Sequence, residues 1–154
     1  MHYNLHSMQL HLLLQRKQAM TNKQKTSKTI NIILWIVQGI LALTFIWTGF
    51  MKIFQPEKLP FPWVKDSGYL AFITGIIDLL AGIGIVLPAL LRIQPKLTIY
   101  AAYGIITLMI AASIFHILRG EASGIGFNIF MALLALFIAW ARQTKAQIIP
   151  KTNN

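Results

Sequence analysis

The stretch Tyr69–Leu91, YLAFITGIIDLLAGIGIVLPALL, holds 23 residues and a single charge, Asp78, near its middle. At 1.5 Å of rise per residue, a helix of this length spans a hydrocarbon core about 30 Å thick. An ionised carboxylate at that depth has no water and no partner on its own helix. It must be paired, protonated, or turned toward a polar cavity. Asp78 is therefore the first candidate for a functional residue.

Three further stretches resemble this one. Ile30–Met51 (22 residues), Leu97–Leu118 (22) and Ile125–Ala141 (17) contain no Lys, Arg, Asp or Glu. Without water in the bilayer core to satisfy backbone groups, only helices or a closed barrel can span it, and runs this apolar, lacking a period of two, read as helices. The expected fold is all-α, a polytopic membrane protein built as a four-transmembrane-helix bundle. A hydrophobic fraction of 56% with 12% charged residues agrees. Joins of 17, 5 and 6 residues leave no room between spans for a second domain. The expected organisation is a basic leader over 1–29, the transmembrane domain over 30–141 and a basic tail over 142–154. The chain contains no Cys, which excludes disulfides, c-type haem and thiolate metal sites, and no metal site is expected.

The net charge of +10 is distributed in a way that argues against nucleic acid. Arg16, Lys17, Lys23, Lys25, Lys28, Arg92, Lys96, Arg142, Lys145 and Lys151 fall on one side of the membrane. Lys52, Lys58, Lys65 and Arg119 fall on the other, offset by Glu57, Asp66 and Glu121. The positive-inside rule puts both termini in the cytoplasm and the loops 52–68 and 119–124 outside. The basic ends set topology and meet anionic lipid headgroups; no aromatic residues are interleaved with the tail charges, and no nucleic-acid motif is present.

In residues 1–29 the apolar cluster around Leu10–Leu14 is too short for a signal peptide and has no small-residue cleavage site after it. It reads as an amphipathic surface helix, or as sequence ahead of a start at Met8 or Met20. His2 and His6 share a helical face, but without a nearby carboxylate or Cys they do not read as a metal site. The first loop carries Pro56, Pro60 and Pro62, which forbid a continuous helix. Phe54, Leu59, Phe61, Trp63 and Val64 give the loop an apolar side, with Trp63 as an interfacial anchor. The expected arrangement is a stiff cap over the mouth of the bundle.

Helical phase indicates which side chains face inward. The stripes are Gln38, Ala42, Phe45, Gly49 and Lys52 in the first span, and Ala71, Gly75, Asp78 and Gly82 in the second. In the third they are Ala101, Gly104, Leu108, Ala112 and His116, and in the fourth Asn128, Ala132, Ala135 and Ala139. Small residues let helices approach closely, so Asp78 should point at protein rather than lipid. Asp78 lies nine residues below Tyr69, about 13 Å at helical rise. Lys52, Asp78, His116 and Asn128 all fall in the same half of the membrane, which suggests one polar pocket beneath the first loop, with Lys52 and His116 as candidate counter-ions for Asp78. The bland alternative is that Asp78 and Asn128 only hold helices together.

The region from Ile33 to Arg142 resembles the DoxX family, in its DoxX-like branch of small four-helix membrane proteins. The resemblance rests on Gly49 and Lys52 (TGFMK), Pro62–Asp66 (PWVKD), Gly75, Asp78, Leu80, Gly82 and Pro88 (GIIDLLAGIGIVLP), His116–Glu121 (HILRGE) and Asn128. Family members more often carry Glu at the position of Asp78, a departure that shortens the carboxylate's reach and keeps its charge. The resemblance implies a bacterial cell (inner) membrane and a role beside a quinone-linked membrane oxidoreductase. The chain itself offers no redox centre: it has no Cys, and one in-span His cannot supply both axial ligands of a b-type haem. Two readings follow. One is a non-catalytic subunit or quinone-binding partner of an oxidoreductase, with no cofactor of its own beyond a bound quinone. The other is a small proton- or cation-coupled transporter using Asp78, acting as a homo-oligomer. Four short spans without inverted repeats or broken helices favour the first.

Overall fold

The computed structural model describes the chain from His2 to Ile148, with side chains from Met8 to Met20 and from Lys28 onward. The described residues form five α-helices: α1 (His2–Phe54), α2 (Pro62–Asp66), α3 (Gly68–Leu91), α4 (Lys96–Leu118) and α5 (Ile125–Thr144), with 3₁₀ turns at Pro56–Lys58 and Ala122–Gly124. Among the described residues four stretches, Lys28–Phe54, Gly68–Leu91, Lys96–Leu118 and Ala122–Thr144, are long and apolar enough to cross a membrane. The leader is helical and continuous with the first spanning helix, so that α1 runs for 53 residues. The short joins make neighbouring spans antiparallel. One end of the bundle, the loop end, carries the first and third connections, 55–67 and 119–124; the other is the terminus end.

The helices pack through small residues and expose large ones. Ala71, Ala102, Ala135, Ala139 and Ala141 are buried, whereas Leu43, Trp47, Phe72, Leu80, Ile110 and Phe130 are exposed around the outside. In a membrane bundle this is the favourable arrangement, since lipid is as apolar as Leu and association comes from close packing. The most extensive packing is between α1 and α3, then between α4 and α5, and α1 meets α5 over a much smaller area. Glycine sets the α1–α3 distance. A Cβ on Gly75 would stand 2.8 Å from Ile53 Cγ1 and 3.0 Å from the Gly49 carbonyl, and one on Gly82 would stand 2.7 Å from Ile46 Cγ1 and 3.0 Å from the Ala42 carbonyl.

The inward stripes expected for the first two spans are where the packing is tightest: Gln38, Ala42, Phe45 and Gly49 on α1 and Ala71, Gly75, Asp78 and Gly82 on α3 are buried. On α5, Asn128, Ala135 and Ala139 are buried and Ala132 partly so, with Met131, Ile138 and Ala141 added. The stripe expected on α4 is corrected. Its buried residues are Thr98, Ala102, Ile105 and Met109, while Gly104 is exposed and Leu108, Ala112 and His116 are half-buried. This helix is apolar on every side, so periodicity supplies no phase, and small residues chosen by spacing misplace the contact face.

One charged and one aromatic side chain sit differently from their expected places. Arg142, read from sequence as the first charge of the tail, is only 3% exposed. Its Nε and Nη2 donate to Gln38 Oε1 at 2.9 and 2.5 Å, and its Nη1 donates to Asn31 Oδ1 at 2.7 Å and the Ala146 carbonyl at 3.2 Å. The guanidinium also lies over the Trp35 ring, 5.3 Å from its centroid. Gln38 completes the cluster by donating from Nε2 to the Ile85 carbonyl at 2.6 Å, in the part of α3 that precedes Pro88. The terminus end is thus tied across α1, α3 and α5. At the loop end, Trp63 is not an interfacial anchor: it is buried with Leu59, Val64 and Ala71, edge-on to Phe115 at 5.6 Å, while Phe54 is exposed.

Candidate functional site

The close α1–α3 approach brings Lys52 to Asp78. Lys52 Nζ donates to Asp78 Oδ2 at 2.8 Å, and Thr48 Oγ1, one turn before Lys52 on the same face, lies 3.3 Å from the same oxygen. The two charged side chains are 13% and 5% exposed. Lys52 also lies 5.4 Å from the centroid of the Trp63 ring, so the buried loop residue supports the ammonium from a second side. The ion pair makes the interior of the bundle electrically neutral at this depth, which an isolated charge would not.

His116 does not join that pair. Its Nδ1 lies 3.0 Å from Glu121 Oε2. The sequence His116–Glu121 is folded back on itself because α4 ends in a Schellman turn: Gly120 has φ +73°, its N–H donates to the Ile117 carbonyl at 3.0 Å, and the Glu121 N–H donates to the His116 carbonyl at 2.9 Å. A left-handed residue at this position favours glycine. Arg119 then bridges outward, donating to Glu121 Oε1 at 3.1 Å and to Asp66 Oδ2 at 2.8 Å, which fastens the short α2 to the end of α4. The hydrogen bond from Arg119, and after it that from His116, holds the Glu121 carboxyl below the ordinary carboxylate range. Asp66 and then Glu121 hold the Arg119 guanidinium above its ordinary value.

Asn128, one turn into α5, is 7% exposed, and its Nδ2 is buried with no hydrogen-bond partner among the described residues. It lines a cavity of about 1220 Å³, as do Lys52, Asp78 and His116. The remaining wall comes from Leu43, Phe45, Trp47 and Thr48 of α1, Pro60–Trp63 of the loop, Met109 and Ala112 of α4, the 120–124 turn and Phe127. The four polar residues singled out by sequence therefore share one space, although only Lys52 and Asp78 touch among them. Sequence reasoning passed over Thr48, and it saw Glu121 and Arg119 as loop charges and as part of the family resemblance, not as partners of His116 and Asp66. The spacing of four between Thr48 and Lys52 was the available signal for Thr48. The roles of Glu121 and Arg119 depend on the fold of the turn.

Chemically, the cavity presents an ammonium with N–H groups beyond the one used on Asp78, an imidazole already linked to a carboxylate, and an unanswered amide, all set in an apolar and aromatic wall. Such walls hold a flat, mostly apolar molecule, and a few polar groups orient it. A family model described as the DoxX-like family matches residues 36–138. Comparisons with curated proteins and with solved structures give no match.

Proposed function

This chain belongs to the DoxX-like family and is a multi-pass membrane protein, and from that premise we propose that it is a non-catalytic partner of a membrane oxidoreductase, holding a quinone headgroup in the cavity of its loop end. The observation that carries this reading is the combination of a wide apolar and aromatic cavity with Lys52, Asp78, His116 and Asn128 in its wall. A quinone carbonyl accepts hydrogen bonds and its ring packs on aromatic faces, so Lys52, Asn128 and His116 are the groups suited to orient it. His116 is also linked to Glu121 at the membrane boundary, a pair suited to passing a proton between the cavity and water. In this reading the membrane is a bacterial cell membrane, both termini are cytoplasmic, and the cavity faces outward. The transporter alternative is less well supported, because Asp78 already has Lys52 as its counter-ion and a transported cation would have to displace it.

Purification from native membranes, followed by solvent extraction and identification of co-purifying proteins, tests the proposal. A bound quinone and a redox partner are expected. Asp78→Asn keeps the size of the side chain and removes its charge; Lys52 sits at the end of a span and can redirect its ammonium to the boundary. The variant should accumulate normally and lose quinone-dependent activity in the complex. Purification as a homo-oligomer without quinone or redox partner, or full activity in Asp78→Asn, would remove this reading.

A further inference from the structure

The cavity is only partly covered at the loop end, where Pro60, Pro62, Ser123 and Gly124 line it and are themselves exposed, and it is also open at its side. Pro60–Trp63 lie across its end, with Trp63 only 7% exposed and anchored by Phe115 and Lys52. By contrast, Leu43, Trp47 and Phe127 line the cavity and are at the same time 73%, 58% and 50% exposed on the outside of the bundle. A residue that both lines a cavity and faces outward marks its mouth. These three lie on α1 and α5, the helices whose contact is small and includes the Arg142 cluster at the opposite end. Leu43 is nine residues before Lys52, so the mouth reaches about 14 Å from the membrane boundary, well inside the hydrocarbon layer. An apolar mouth at that depth admits molecules dissolved in the bilayer.

At the inner side of this mouth stands Asn128, next in sequence to Phe127. A buried amide donor without a partner is costly, and the described residues supply none. A half-turn about the last torsion of the side chain exchanges its nitrogen and oxygen, so the amide can answer an acceptor or a donor on a bound molecule.

We propose that the cavity takes its ligand sideways from the bilayer, between α1 and α5, and that the Asn128 amide beside the Lys52–Asp78 pair grips the ligand's oxygen-bearing head while its apolar tail stays between Leu43, Trp47 and Phe127. The ligand class is a membrane-soluble amphiphile with hydrogen-bond-accepting head oxygens. This deepens the quinone reading and rests on the same cavity, but a quinone and a phospholipid both carry the required chemistry.

The test uses the full chain in nanodiscs with two photoreactive probes, a long-tailed quinone and a phosphatidylglycerol, each carrying a diazirine in the first part of its tail. For the probe that binds, crosslinks are expected in peptides containing Leu43, Trp47 and Phe127. Asn128→Leu should weaken binding about tenfold, the value of one hydrogen bond in a buried site, without lowering the melting temperature, since it removes an unpaired polar group. Saturable labelling by the quinone supports both this inference and the proposed function. Labelling by the phospholipid alone supports the sideways route and overturns the quinone reading. Crosslinks confined to 56–66, or unchanged affinity in Asn128→Leu, overturn the inference while leaving quinone binding standing. No saturable labelling by either probe overturns both.

Discussion

Each end of the bundle holds a cation largely out of water, Arg142 buried and Lys52 half-buried, and the two are stabilised in different ways. At the terminus end, Arg142 has no carboxylate partner among the described residues; it is surrounded by neutral oxygens from Gln38, Asn31 and Ala146 and by the face of Trp35. Nearly all of its fixed donors are engaged, and Gln38 carries the contact on to α3. At the loop end, Lys52 meets a full negative charge on Asp78, and both face a cavity. The flexible ammonium retains donors that can turn toward a bound molecule. The difference teaches that buried charge can serve two purposes in one small protein. A guanidinium whose hydrogen bonds are all made within the fold acts as a clamp, and an ion pair beside a cavity remains able to respond.

The clamp is where a single substitution should do most damage. Gln38→Leu removes the acceptor of two Arg142 donors and the donor to Ile85, leaving a buried guanidinium poorly hydrogen-bonded. A loss of about 3 kcal/mol is expected, read as a lower melting temperature in detergent, and Gln38→Leu combined with Arg142→Leu should recover most of it. A neutral Gln38→Leu would dissolve the contrast between the two ends.

A smaller effect should come from the helix contact that brings Lys52 to Asp78. Gly75→Ala puts a methyl group 2.8 Å from Ile53 Cγ1 and 3.0 Å from the Gly49 carbonyl, so α1 and α3 must separate. Overpacking of this kind costs about 2 kcal/mol and should loosen the ion pair. Gly104→Ala is the internal control, because its Cβ meets nothing within 4 Å and should leave stability unchanged or slightly raised. Equal melting temperatures for the two variants would show that the close approach does not set the site.

The smallest effect concerns pH and should separate the ends without unfolding either. Glu121 is held below its ordinary value of 4.5 by Arg119 and His116. A depressed carboxyl contributes stability that is present above about pH 4.5 and is lost as the pH falls through the lowered value. Acidification below pH 4.5 should therefore loosen the tie between α4 and α2, while the Arg142 clamp, which contains no carboxyl group, is unaffected. The readout is thiol labelling of Ser67→Cys in a chain with no native Cys, each rate divided by that of a free thiol at the same pH so that the loss of thiolate cancels; this relative rate should rise in acid. Glu121→Gln should label at the faster rate already at neutral pH and accelerate less in acid. Equal acid acceleration in both proteins would place the pH response elsewhere.

The sequence by itself determined the class of molecule and much of the polar inventory. Lipid imposes a length and an apolar composition on every span, so four helices could be counted from residues alone, and the small stripes of α1 and α3 could be phased because polar and small residues interrupt an otherwise bulky surface. Placing Lys52, Asp78, His116 and Asn128 in one half of the membrane needed only helical rise. Tertiary structure decided who pairs with whom. His116 turned to Glu121 because Gly120 folds the chain back, Arg142 left the tail for the interior because Gln38 and Asn31 converge on it, and α4 took a face that no periodicity marks. Spacing along one helix fixes which side chains share a side, but which neighbour that side meets depends on packing among all the helices, and that information is spread over residues up to 111 positions apart.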